Sequence, residues 1–260
     1  MGRKSVAAKG IGEDWGTYDF FRKFDNARES DICEPYYFSN KIHGYDQSAG
    51  KRVLDVGCGN GYVLYHYAKH GAEVHGIDIT ETAIKLSRQR FKMCGLDGEF
   101  EMTDGNSISY PDGYFDIVCS IGVLHHIPDP RPMISEIYRV LKPGGELILM
   151  LYHKNSFRNQ VMFRIFKYFA SSCRGKSLQE IRNMNDGSDC PLALVYSKRE
   201  IEKLLKDFSD IKFTVNKLAY RELFIIRRIG NMVEHLLPSP CESFFARHWG
   251  WNLYIKARKV

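Results

Sequence analysis

"VLDVGCGNGY", residues 53–62, decides the fold. A β-branched and leucine run reaches Asp55, then glycines stand at 57, 59 and 61, and "YVLYHYAKH" follows with helical spacing. The pattern predicts a strand, a tight turn stripped of side chains, and a helix opening directly above it. A helix N-terminus turns unpaired N–H groups toward an anion. Bare glycines let a ligand come close to the backbone.

Moving outward, the same alternation recurs. Strands are predicted at 52–57, 73–78, 99–104, 115–121 and 145–152, separated by helices in "TETAIKLSRQRFKMC" and "PRPMISEIYRVLK". Thr80 is the expected N-cap of the first of these helices, and Gly144 the expected stop of the second. Short apolar strands alternating with amphipathic helices predict a parallel sheet wrapped on both faces. Beyond residue 152 the alternation breaks. It resumes with "SKREIEKLLKDF" as a serine-capped helix, "IKFTVNKL" as a strand and "WNLYIKARKV" as a final strand. The chain therefore divides into an N-terminal helical cap (1–50), a ligand-binding core (51–153), a cap insertion (154–196) and the rest of the sheet (197–260). A second cap segment is expected at 218–248.

The apolar share of 44% and charged share of 26% are ordinary for a globular protein with a real core. No apolar run is long enough to span a bilayer, and the N-terminus lacks the apolar stretch of a secretory signal. Its Met-Gly start has Val6 where myristoylation wants Ser or Thr. Seven cysteines without a C-x-x-C pair favour reduced thiols, a cytoplasmic location and no metal site. The net charge of +6 comes mostly from residues beyond 154 and is read as solvated surface.

The glycine spacing separates two ligand classes. Dinucleotide sites use G-x-G-x-x-G, but position 62 is Tyr, and Asp55 stands before the first glycine. The D-x-G-x-G-x-G pattern resembles motif I of the class I methyltransferases, which bind S-adenosylmethionine. "PDGYFDIVCSIGVLHHIPDP" (111–130) and "EIYRVLKPGGELILMLYH" (136–153) are similar to that family's fourth and fifth strands. The resemblance implies an α/β, Rossmann-like, three-layer fold with seven strands in the order 3-2-1-4-5-7-6, the seventh antiparallel. It implies that Asp55, Gly57, Gly59 and Gly61 hold the amino-acid end of the cofactor. Asp78, with Ile79 beside it, would accept the ribose hydroxyls, and Asp104, Gly105 and Asn106 would hold the adenine edge. Ser120, near the end of strand four, completes the expected cofactor set.

The acceptor is less defined. His125 and His126 leave strand four and His153 leaves strand five, so these three are the candidate bases for a hydroxyl acceptor. Nucleic-acid amino methyltransferases of this fold carry an Asn/Asp/Ser-Pro-Pro-aromatic tetrad after strand four. This chain has "SIGV" (120–123) there, which argues against nucleic acid. A small-molecule acceptor is expected, oxygen first, with nitrogen or carbon open. Tyr18, Phe20, Tyr36 and Tyr37 are candidate pocket walls. Phe157, Val161, Ile165 and Phe169, widened by Met162 and Phe166, form the predicted buried face of a cap helix; a peripheral membrane contact is the sharper alternative. "RELFIIRRIGNMVEHLLP", with Arg227 and Arg228, is the expected second wall. The rival readings are a tRNA or protein methyltransferase and a binding subunit without turnover.

Overall fold

The computed structural model describes residues 14–187, 190–223 and 239–260. Seven strands form one sheet: β1 (Arg52–Val56), β2 (Glu73–Asp78), β3 (Glu99–Met102), β4 (Phe115–Ile121), β5 (Leu141–Tyr152), β6 (Phe208–Asn216) and β7 (Asn252–Lys259). Their order is β3-β2-β1-β4-β5-β7-β6. The first five pair in parallel, and β7 runs antiparallel between β5 and β6. The order reverses between β1 and β4, and a crevice opens outside the carboxyl ends of strands at such a point.

Strand alternation sends successive residues to opposite faces, and here both faces are covered. Val53, Ile117 and Ile148 join Leu64, Phe91 and Tyr45 on one side. Leu54, Val118 and Leu149 join Ile137 and Ile201 on the other. This double burial is why the parallel strands read as near-continuous apolar runs. The first layer holds α3 (Tyr62–Lys69) and α4 (Glu81–Cys94); the second holds α5 (Arg131–Val140) and α8 (Lys198–Leu204).

Thr80 caps α4 as expected, accepting the Ala83 N–H, and Ser197 with Glu200 forms a capping box on α8. Gly144 does not stop a helix. The fifth helix ends at Val140, and Gly144 lies inside β5 with a φ of 75°. There the pairing with β4 slips between Phe115 and Ile117, so Lys142–Gly145 bulge out of the ladder.

Two N-terminal helices, α1 (Tyr18–Glu29) and α2 (Tyr36–His43), pack on the α3–α4 side. Arg90 of α4, almost fully buried, anchors α1 by donating from Nη1 to both carboxylate oxygens of Asp25 at 2.9 Å. Among the described residues no helix is long and apolar enough to cross a membrane.

The cap insertion departs from its expected face. A π-helical turn (Arg158–Met162) precedes α6 (Phe163–Phe169). The wider turn shifts the helix phase, so Ser156, Asn159 and Phe163 are buried while Val161, Ile165, Phe166 and Phe169 are exposed. The insertion continues into α7 (Leu178–Asp186), and α9 (Phe244–Trp249) precedes the last strand. The second expected wall, with Arg227 and Arg228, lies outside the described residues.

Candidate active site

The glycine turn lies where β1 gives way to α3. Gly57, Gly59 and Gly61 have φ of 84°, 58° and 74°, a left-handed backbone that side chains disfavour. At Gly57 space adds a second demand, because a Cβ would overlap the Val123 side chain. The turn is braced from behind. The Gly57 and Cys58 N–H groups donate to the Ile77 carbonyl at 2.8 and 3.0 Å. From α4, Ser87 Oγ donates to the Gly59 carbonyl at 3.1 Å and Arg90 Nε to the Asn60 carbonyl at 2.9 Å. The bare turn is thus held rigid before any ligand arrives.

Three acids surround it in different states. Asp55 is 3% exposed, and its Oδ1 has no hydrogen-bond partner. Desolvation pushes its pKa up to about 7; the Cys119 thiol opposes that rise and the Asp78 carboxylate adds to it. Asp78, ending β2, accepts the Gly59 N–H at 3.1 Å and both the N–H and Oγ1 of Thr80 at 2.9 Å. A carboxylate has about four acceptor sites, so a ribose diol must displace one of these three bonds to be held twice. Asp104 lies on the surface beyond β3. It accepts the Asn106 and Ser107 N–H groups at 2.8 and 3.3 Å, and these bonds, the Asn106 one foremost, hold its pKa below the usual carboxylate value. Ile79 is 66% exposed and meets Gly105, whose Cβ position lies 3.2 Å from Ile79 Cγ2. An uncovered apolar side chain beside an acid-closed turn offers a flat wall and a polar edge together.

Ser120 departs from its expected role. It is fully buried, and its hydroxyl donates to the Val56 carbonyl at 2.9 Å. That side chain ties β4 to β1.

The three histidines also differ from expectation. His125 is fully buried with neither ring nitrogen partnered, and its ring lies 3.8 Å from that of Tyr152. Burial, then the neighbouring His126, drives its pKa well below that of a free imidazole. His153 is buried too; its ring nitrogen meets the Gly250 carbonyl at 3.2 Å and its backbone N–H donates to Trp251. Burial lowers its pKa, partly offset by the Gly250 bond. Neither stands open at the mouth of the site. Only His126 keeps a partly exposed side chain, and its Nδ1 lies 2.6 Å from the Leu192 carbonyl. A carbonyl can only accept, so Nδ1 donates there and Nε2 is the nitrogen turned to Asp186.

The expected aromatic pocket is displaced by a residue or two. Tyr18 and Tyr37 are exposed, Phe20 packs with Phe21 and Leu86, and Tyr36 stacks on Tyr45. A cavity instead opens between the N-terminal helices and the sheet, lined by Arg28, Glu34, Phe38, Tyr62, Ile121 and Tyr254. Glu34 there accepts Asn252 Nδ2 at 2.7 Å and the Tyr254 hydroxyl at 2.8 Å. Sequence reasoning missed both charged residues, since nothing in their spacing marks them.

Comparison with known proteins agrees with this geometry. Residues 54–149 match the family model described as a methyltransferase domain. A ubiquinone biosynthesis O-methyltransferase of Azoarcus sp. is 34% identical over 116 residues, 44% of this chain and 49% of that protein. Its Coxiella burnetii counterpart is 36% identical over 106 residues, 41% of this chain and 45% of that protein. The chain spans about half the length of the curated relatives it matches. A solved SAM-dependent methyltransferase of Methanosarcina mazei superposes with a TM-score of 0.59 at 26% identity, covering 85% of this chain and 97% of that one. Residues 54–149 form a methyltransferase domain, set in the fold of the S-adenosylmethionine-dependent methyltransferases.

The fold agreement reaches further than the sequence agreement. Haemonchus contortus phosphoethanolamine N-methyltransferase 2, solved with S-adenosyl-L-methionine, shares the fold at a TM-score of 0.59 and 18% identity. It covers 96% of this chain and 61% of that one. The cofactor of that fold family is S-adenosylmethionine, and the residues of this chain fit it. Gly57 has no room for a side chain, and the orphaned Asp55 oxygen marks a buried acceptor beside the turn. Both suit the ammonium-bearing end of such a ligand. Asp78 and the Ile79–Gly105 wall suit the nucleoside.

Proposed function

We propose that the chain transfers the methyl group of S-adenosylmethionine to a small-molecule acceptor, with oxygen as the accepting atom. The observation that carries this reading is the convergence of the rigid bare turn, Asp55 and Asp78 on one edge of the sheet. The relatives named as ubiquinone biosynthesis O-methyltransferases support the oxygen acceptor.

When bound, S-adenosylmethionine supplies an electrophilic methyl on a sulfonium. The chain's own part is to hold and align. Gly57–Gly61 and Asp55 orient the amino-acid end, Asp78 the sugar, and the Ile79–Gly105 wall the base. Alignment of two reactants contributes on the order of 7–11 kcal/mol, so the reaction has little need of covalent help from the protein. The N-terminal helices and the cavity around Arg28, Glu34 and Tyr254 seat the acceptor and limit water. A hydroxyl acceptor gives its proton to solvent at the mouth. The exposed apolar residues of α6, flanked by Arg164 and Lys167, favour an amphiphilic acceptor delivered from a membrane surface.

The test is calorimetry of S-adenosylmethionine binding, followed by S-adenosylhomocysteine release with phenols, alcohols and amines, with and without vesicles. Saturable cofactor binding and turnover on a hydroxyl are expected. Absence of binding refutes the family-based site, and turnover on amines alone refutes the oxygen acceptor.

A further inference from the structure

We propose that His125, His126 and Asp186 bind one divalent cation of the zinc class where the cap insertion meets the core. The two histidines come from the 3₁₀ turn Leu124–His126 after β4, and Asp186 is the last residue of α7. One ligand atom from each lies within 4.8 Å of the others. Zinc holds nitrogen and oxygen at about 2.0–2.2 Å, so its tetrahedral ligand atoms stand roughly 3.4 Å apart. Shifts of about 1 Å therefore close this set on a cation.

Three further observations separate the cluster from a chance meeting of polar groups. His125 is fully buried with both nitrogens unpartnered, a costly state that a metal relieves. His126 donates Nδ1–H to the Leu192 carbonyl, which turns Nε2 toward Asp186 Oδ2 at 3.5 Å. That second bond is how proteins fix the tautomer and ring angle of a metal-binding histidine. The Tyr152 hydroxyl donates to Asp186 Oδ1 and orients the carboxylate, while Oδ2, which also accepts the Cys190 thiol, faces the two histidines. Asp186 also sits at the carboxyl end of its helix, where the dipole favours a cation.

The ligand set names the metal class. Two imidazoles and one carboxylate suit zinc and its late first-row neighbours, whereas magnesium and calcium prefer all-oxygen shells. Three protein ligands leave a fourth position for water or a ligand oxygen. The cation would tie α7 of the cap to the turn after β4, joining segments about 60 residues apart in sequence. The reading stands without the methyl-transfer proposal, because zinc uptake is measured without turnover.

The experiment uses the full chain stripped with a chelator and titrated with zinc chloride in a calorimeter. One saturable equivalent and a raised melting temperature are expected. Asp186→Asn and His126→Gln should each weaken binding at least tenfold. His70→Gln, which removes a surface histidine beside Asp46, should leave it unchanged. Cobalt gives a second readout: the protein should show the strong visible bands of a low-coordinate histidine site, lost in Asp186→Asn. The proposal fails if the wild type takes up no zinc, if Asp186→Asn binds as tightly as wild type, or if cobalt keeps its aqueous spectrum. S-adenosylmethionine affinity in the same preparations separates this failure from failure of the cofactor site.

Discussion

A carboxyl group held near neutrality beside a glycine turn is the most distinctive single residue here. Asp55 has its pKa raised by burial from 3.8 to about 7, so the folded state holds its proton more tightly than the unfolded chain. The stability it gives is complete below about pH 4 and is lost as pH rises toward 7. Asp55→Asn should flatten that decline in urea melts across the window; an unaltered slope would show that the group is not buried as described. The same variant should weaken S-adenosylmethionine binding and abolish proton release on binding, read by calorimetry in buffers of different ionisation enthalpy. Asp78→Ala should cost about 1–3 kcal/mol of cofactor affinity, the usual loss for a removed buried partner. Equal affinity would mean that the acid only braces Gly59 and Thr80. Sequence position identified both acids, because strand ends are predictable. It could not reveal that Ser120 and His153 turn inward, since that depends on which strand lies alongside.

At the scale of elements, the cap helix is the informative case. An i, i+4 apolar pattern predicted burial of Val161, Ile165 and Phe169, yet the π turn at Arg158–Met162 hands burial to Phe163. Phe163→Ala should therefore destabilise by about 3–5 kcal/mol, as truncation of a fully buried aromatic does. Phe169→Ala should change stability by less than about 0.5 kcal/mol. Chemical denaturation of the pair decides, and the reverse ranking would restore the original face. Periodicity could not anticipate this, because a π turn leaves no composition signal. The bulge at Lys142–Gly145 is a similar case: Gly144 reads as a helix stop, but β5 already begins at Leu141, paired with Phe115, and carries Gly144 in the bulge between that pair and Glu146–Ile117.

At the scale of the molecule, stability depends on a few ties between the N-terminal helices and the core. Arg90 is almost fully buried and bound to Asp25, so Asp25→Ala leaves a buried charge uncompensated. A loss of about 3–5 kcal/mol is expected in guanidinium melts, and a negligible change would show that α1 is not anchored there. His43 and His66 are buried neutral, with pKa values pushed down from 6.5 to about 3 by desolvation. Their folded values lie below the unfolded one, so their stability is complete above about pH 6.5 and is lost as pH falls toward 3. Acid unfolding should retreat to lower pH in a His43→Gln, His66→Gln double variant that still folds.

The sequence by itself determined the alternation of strands and helices, the bare turn and the acids after β2 and β3. Those features follow from local periodicity and from backbone angles that only glycine adopts readily. The sheet order was legible too, through the resemblance carried by residues 51–153, and the structure bears it out. Tertiary structure alone decided which polar groups face the crevice and which are sealed. It closed off His125 and His153, opened the cavity at Arg28 and Glu34, and brought Asp186 to the turn after β4. Burial and charge are set by neighbours distant in sequence, and no local pattern specifies who those neighbours are.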